Sequence, residues 1–166
     1  MRNISSDRLA STIGKRPEDA AGFVASVERG TNEYLTDVIY DIFAKDARSV
    51  VITDGGHDEN IGVDEIHAAW VIDCRTFRRH RFNVEKRLIA ATEDTIVNEW
   101  RGGFRGNRDG RGIEIWKFDH EGKVIEQRLS SYLKVRPMTS PVQMLLLMLI
   151  SPRIALSAGW ARFRTR

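Results

Sequence analysis

The residues best suited to chemistry gather around one predicted hairpin. Gly112 to Leu133 reads as two strands, GIEIWKF and VIEQRLSSYL, joined by the polar turn DHEGK. Gly122 supplies the positive φ that such a turn needs. Period-two alternation puts Glu114, Trp116 and Phe118 on one face of the first strand and Ile113 and Ile115 on the other. A carboxylate among aromatic side chains is either a paired structural charge or the acid of a pocket, because burial without a cation raises its pKa and makes it a proton donor. A turn centred on Asn107-Arg108 would set Arg101 opposite Glu114 on the same face and hold the carboxylate ionised. Both readings stand at this point. With Arg101 facing Glu114, Trp100 and Trp116 cannot both face inward, so one of them is expected to pack outward.

A second candidate couple is Asp54 and His57, in a polar loop after a short strand. A histidine near an acid can move a proton near neutral pH. The same stretch, DGGHD, is also ordinary solvated-turn composition. Asp54, His57, Asp58 and His67 together lack any recognised ligand spacing, so no metal site is expected. Tyr40, Trp70 and Trp116 could wall a pocket for a flat apolar ligand, with Arg101 and Tyr132 as further contacts. They would serve equally as core or interface. The tract RGGFRGNRDGRG (101–112) resembles an RGG-type RNA-binding segment, but it is a single copy between two strand patterns, and Asn107 to Gly110 is good turn chemistry. A hairpin loop is expected there, and nucleic acid is not. The net charge of +3 and pI near 9.2 are too mild to imply it.

Elements that would position these residues follow from the hydrophobic period. The chain has 166 residues, 42% hydrophobic and 30% charged, which suits one globular domain with a full core. Its one cysteine, Cys74, excludes an intrachain disulfide and a cysteine-based zinc cage. Residues 1–16 are expected to be a flexible leader, 17–136 the domain, and 137–166 an apolar helical tail. Helices are predicted from Pro17 to Gly30, from Thr31 to Phe43, and from Gly62 to Phe77. Ser49 to Thr53 is a short strand and 54–60 a polar loop. Four antiparallel strands follow, at 80–91, 95–104, 113–118 and 124–134, then helices at 142–150 and 153–163. This order predicts an α+β fold: a curved antiparallel sheet with helices on one face, enclosing a conical pocket. The N-terminus has no apolar signal-like core, and the longest apolar run, Met144 to Ile150, is far short of the roughly 20 residues of a membrane span. A cytoplasmic protein is expected.

Three segments carry a family resemblance: Phe43-Ala-Lys-Asp-Ala47 before the first strand, Gly62 opening the third helix, and Phe118-Asp-His-Glu-Gly-Lys-Val-Ile125 at the last hairpin. Over roughly residues 18 to 134 the chain resembles the nuclear transport factor 2-like superfamily, in its SnoaL-like group of polyketide cyclases and ketosteroid isomerases. The resemblance implies a cone-shaped cystatin-like roll, whose members include isomerases, hydrolases, dehydratases and non-catalytic binding modules. It places Glu114 where ketosteroid isomerases keep a protonated acid that donates to a substrate oxyanion. The isomerase base would fall on Val51, with Asp54 three residues on, and the helix-one tyrosine on Val27. Of a limonene epoxide hydrolase set, Arg101 lies near the arginine, and Ser130 and Ser131 stand where an aspartate is expected. These departures point away from true ketosteroid isomerase activity. The resemblance implies a small apolar oxygenated ligand. Any catalysis would be cofactor-free acid-base chemistry, with Glu114 polarising the oxygen and Asp54 or His57 moving the proton. A non-catalytic ligand- or protein-binding module is the alternative. A homodimer through the outer sheet face is expected. The C-terminal tail is expected to dock on protein in preference to a membrane surface.

Overall fold

The computed structural model describes residues 19–135 and 140–152. The chain divides into two units, 1–134 and 135–166. The leader expected at 1–16 and the helix expected at 153–163 lie outside the described residues.

Helix α1 (Ala20–Asn32) starts where the Asp19 carboxylate accepts the Gly22 N–H at 2.8 Å, a side-chain N-cap. It runs through Gly30 instead of ending there. The chain reverses at Tyr34, which takes a left-handed φ of 58°. Only a short helix, α2 (Val38–Ile42), follows before the first strand, so the continuous helix expected from Thr31 is not formed. Helix α3 (Val63–His80) begins after Gly62 and ends at Arg81 in the left-handed region, as a C-terminal stop requires.

Six strands form one sheet: β1 (Phe43–Thr53), β2 (Gly56–Ile61), β3 (Asn83–Ala91), β4 (Thr95–Phe104), β5 (Asn107–Phe118) and β6 (Val124–Tyr132). Their order is β2-β1-β6-β5-β4-β3. Every join is antiparallel except β1 with β6, which is parallel. The fold is therefore the expected α+β sheet with helices on one face, with one parallel join and three extra lengths of strand, at 43–48, 56–61 and 107–112. The polar loop expected at 54–60 is a hairpin. Asp54 (φ 49°) and Gly55 (φ 85°) make its two-residue turn, and both positive φ values match a turn of the primed type.

The edge strand β3 is sealed by helix α1. Asn32 both donates to the Val84 carbonyl (2.8 Å) and accepts the Val84 N–H (2.9 Å), while Glu28 accepts the Lys86 N–H at 2.6 Å. These side chains pair with β3 as a neighbouring strand would, which removes a free edge and fixes which β3 residues point inward. The inner face packs on the helices: Phe23 of α1 meets Trp116 and Phe118 edge-on, at centroid distances of 5.3 and 5.2 Å. The outer face is a lattice of ion pairs, among them Arg48–Glu59, Arg87–Glu99 and Lys117–Glu126, interspersed with exposed Ile52, Ile113 and Tyr132.

The β4–β5 register departs from expectation and changes several assignments. The hairpin closes over Arg105 and Gly106, with Phe104 opposite Asn107 and Gly106 at φ 88°. Arg101 then lies opposite Arg111, and Glu114 opposite Asn98. The partner of Arg101 moves by three residues, an odd number, and an odd slip exchanges the two faces of a strand. Arg101 thus points outward beside Glu99, and the expected Arg101–Glu114 pair does not exist. Trp100 and Trp116 are both buried on the inner face, at 5% and 4% exposure. Asn107 to Gly110 opens a strand instead of making the turn. The glycines of this tract make room: a Cβ on Gly112 would sit 2.3 Å from the Trp100 indole nitrogen. Gly112→Ala should therefore displace Trp100 and cost about 1–3 kcal/mol by overpacking. Urea unfolding followed by tryptophan fluorescence measures this, and an unchanged midpoint would show that the indole yields freely.

In the second unit, helix α4 (Pro141–Ile150) matches the apolar helix expected at 142–150.

Candidate functional site

A cavity of about 450 Å³ lies between the helices and the inner face of the sheet, well within the range of small-molecule pockets. Its walls are mostly apolar, from Val27, Ile39, Ile42 and Phe43 at the helical side to Trp70, Phe77, Trp100, Trp116 and Leu129 elsewhere. Strand alternation decides which polar groups enter. β1 and β6 contribute Ser49, Thr53, Gln127 and Ser131, bonded across the parallel join as Ser49 to Gln127 (2.8 Å) and Thr53 to Ser131 (2.8 Å). β2 contributes Asp58 and Asn60, which bond each other at 3.2 Å.

Glu114 is the charged group of the inner wall, and its cation is Lys86. The Lys86 Nζ donates to both carboxylate oxygens at 2.6 and 2.7 Å, and the two side chains are only 5% and 6% exposed. Asn98 donates to the same carboxylate at 2.8 Å, and Trp116 donates its indole N–H to Asn98 at 2.8 Å. Every contact of Glu114 in this chain of bonds is one it accepts. Lys86 sits two strands away and one row along, so neither sequence distance nor a single hairpin pairs it with Glu114.

Asp73 is the acid that sequence reasoning missed. It lies on the cavity-facing stripe of α3, with Ile66, Ala69, Trp70, Thr76 and Phe77. An acid recurring at helical spacing within an apolar stripe was the available signal. Its side chain lines the cavity while part of the residue stays open to solvent. Burial pushes its carboxyl up to about 6, and repulsion from Asp58 adds to the rise. Among the described residues neither acid has a salt-bridge partner. Next to Asp73 in the chain, burial pushes the Cys74 thiol up to about 11, which suits a packing residue and not a nucleophile.

The other expected site residues are distributed as follows. Trp70 and Trp116 line the cavity with Glu114, and Trp70 donates its indole N–H to the Leu35 carbonyl at 2.8 Å. Asp54 lies at the β1–β2 turn, where its carboxylate accepts the Leu133 N–H at 3.2 Å. His57 is paired with Ile52 on the outward face of β2, opposite in direction to Asp58. Tyr40 is half exposed, bonds Asp64 at 3.2 Å and stacks on His67, while Tyr132 and Arg101 stand on the outer face. None of these five lines the cavity. Among the described residues no three or more histidines, cysteines or acids are grouped to hold a metal ion.

No family model and no curated protein matches the sequence. Solved structures do. A SnoaL-like protein of Burkholderia thailandensis superposes with a TM-score of 0.56 at 15% identity, over 70% of this chain and 98% of its own. A steroid delta-isomerase of Pseudomonas aeruginosa gives 0.52 at 17%, over 89% and 95%. An epoxide hydrolase/cyclase-like enzyme of pyran ring formation in the polyether salinomycin gives 0.51 at 18%, over 69% and 91%. The fold is SnoaL-like. At these identities the likeness speaks for the nuclear transport factor 2-like architecture alone, so the chemistry of this SnoaL-like cone has to come from its own side chains.

Two measurements check the site. Lys86→Met strands a buried carboxylate and should cost about 3–5 kcal/mol in urea unfolding, with Lys86→Met/Glu114→Gln recovering most of the loss. A cost under about 1 kcal/mol would show that water reaches the pair. Asp73 gives a pH signature. Its folded pKa of about 6 exceeds the ordinary 3.8, so between these values the folded chain holds a proton that the unfolded chain has released. Stability from this group therefore falls as pH rises through that window. Asp73→Asn should remove the fall, seen as a gain over wild type near neutral pH that vanishes below about pH 4. A pH-independent difference would sink this account.

Proposed function

We propose that this protein binds an apolar, oxygenated small molecule inside the cone and moves a proton on it, with the Lys86–Glu114 pair as the polar anchor and Asp73 as the proton carrier. The single observation behind this reading is an apolar cavity of about 450 Å³ whose walls hold the Asp73 carboxyl together with a buried ammonium–carboxylate pair. A general base works best when its pKa lies near the operating pH, and Asp73 meets that condition. The resemblance implied that Glu114 itself polarises the ligand oxygen; in this reading Glu114 anchors Lys86 and the polarising role passes to the lysine. Lys86 supplies the hydrogen-bond donor to a ligand oxygen, because Glu114 is engaged as an acceptor. Proton transfer passes from the couple Asp54 and His57 to Asp73, with Asp58 beside it as the second acid. The reaction class this supports is proton abstraction next to a carbonyl, the first half of an isomerisation or cyclisation. That two of the structurally similar proteins are a steroid delta-isomerase and an epoxide hydrolase/cyclase-like enzyme is consistent with such chemistry in this fold.

The test is deuterium exchange at the α-carbon of apolar ketones, a decalone and a steroid enone, followed by NMR. Exchange should accelerate as pH rises through about 6, and Asp73→Asn should slow it on the order of 100-fold with ligand affinity retained. Ketones that bind without exchange, with Asp73→Asn indistinguishable from wild type, would instead establish the non-catalytic binding module.

A further inference from the structure

The chain's charge is divided between its two units. All 23 acidic residues fall within residues 1–134, with 21 of the 26 lysines and arginines, so that unit is net −2. Residues 135–166 hold the other five, Arg136, Arg153, Arg162, Arg164 and Arg166, and no acid at all. The excess positive charge of the protein resides entirely in its last 32 residues.

The same segment holds the most apolar helix of the chain. In α4, Val142, Leu145, Leu146, Met148, Leu149 and Ile150 are exposed, Leu149 and Ile150 at 72% and 79%. At 3.6 residues per turn these six positions cover more than half of the helix's circumference, and Gln143 is the one polar residue of PVQMLLLMLI, so there is no polar face to turn toward water. A helix apolar all round needs an apolar surrounding. Ten residues rise only about 15 Å, half the roughly 30 Å of a bilayer's hydrocarbon. Correspondingly, among the described residues no helix is long and apolar enough to cross a membrane.

We propose that residues 135–166 dock on the surface of an anionic lipid bilayer, with α4 entering the interface and the flanking arginines meeting the headgroups. Charge selects this occupant. An anionic bilayer offers apolar depth for α4 and negative charge for five arginines at once. RNA would match the arginines and leave the helix in water. A second copy of the segment would cover the helix and set five arginines against five. The sequence Trp160-Ala-Arg-Phe-Arg164 alternates aromatic and cationic residues, the composition of membrane interfaces.

The experiment is co-sedimentation of the full chain with phosphatidylcholine vesicles, with and without phosphatidylglycerol. Wild type should bind the anionic vesicles and release them as salt is raised. Arg162→Gln/Arg164→Gln should lower partitioning roughly fivefold for each arginine removed. Leu149→Glu/Ile150→Glu should abolish it on both lipids, with cooperative unfolding of the SnoaL-like unit unchanged as the control. Absence of wild-type binding overturns the proposal. So does salt-sensitive retention of an RNA oligonucleotide without vesicle binding, or a lipid-free dimer that Leu149→Glu/Ile150→Glu dissolves and that does not bind vesicles.

Discussion

The inner wall of this protein depends on how the β4–β5 hairpin closes. With Arg105 and Gly106 as the whole turn, Ile96, Asn98 and Trp100 face the same side as Glu114, Trp116 and Phe118. A slip of either strand by one residue would send half of that set into water and bring Arg101 or Arg111 inward. Gly110 and Gly112 hold the register from within, because the Trp100 ring occupies the space their side chains would need. On the other flank Asn32 and Glu28 fix β3, so Lys86 points into the cone.

Once the register is set, a lysine and a glutamate meet where water is largely excluded. Neither could be buried alone, since desolvating one charge costs more than the fold can supply without a partner. The carboxylate is satisfied further by Asn98, and Asn98 by Trp116, so the polar network is closed on the protein side. This arrangement spends Glu114, the acid that the sequence resemblance singled out, on accepting hydrogen bonds. The group with a raised pKa is elsewhere, on the helix that covers the sheet. The proposed division of labour follows: an anchor held in place by its hydrogen bonds, and a mobile proton on an acid with no salt-bridge partner among the described residues.

The segment beyond residue 134 obeys different physics. It has no acid to balance its arginines, and its helix has no polar face. Charge and apolarity segregated in this way suit the proposed contact with a bilayer, whereas the first unit gathers Phe23, Trp116 and Phe118 into a core of its own.

The sequence alone determined the architecture, because period and punctuation are local. Residues 95–104 alternate as the strand they form, Asp119 to Lys123 makes the last turn, and Gly62 opens α3 as its φ of 89° requires. It also singled out Glu114, Trp70 and Trp116, since an acid and large aromatics inside apolar patterns are visible one residue at a time. It did not contain the partner of Glu114. That depended on which of two plausible glycine-rich turns closes a hairpin, and so on whether an odd number of residues separates the expected register from the real one. Only the packed structure weighs one choice against the other, by the total area each would bury. Lys86 and Asp73 were hidden for the same reason: one is distant by two strands, the other by a layer. A lysine in a strand and an aspartate on a helix become a site only when the helix is laid across the sheet.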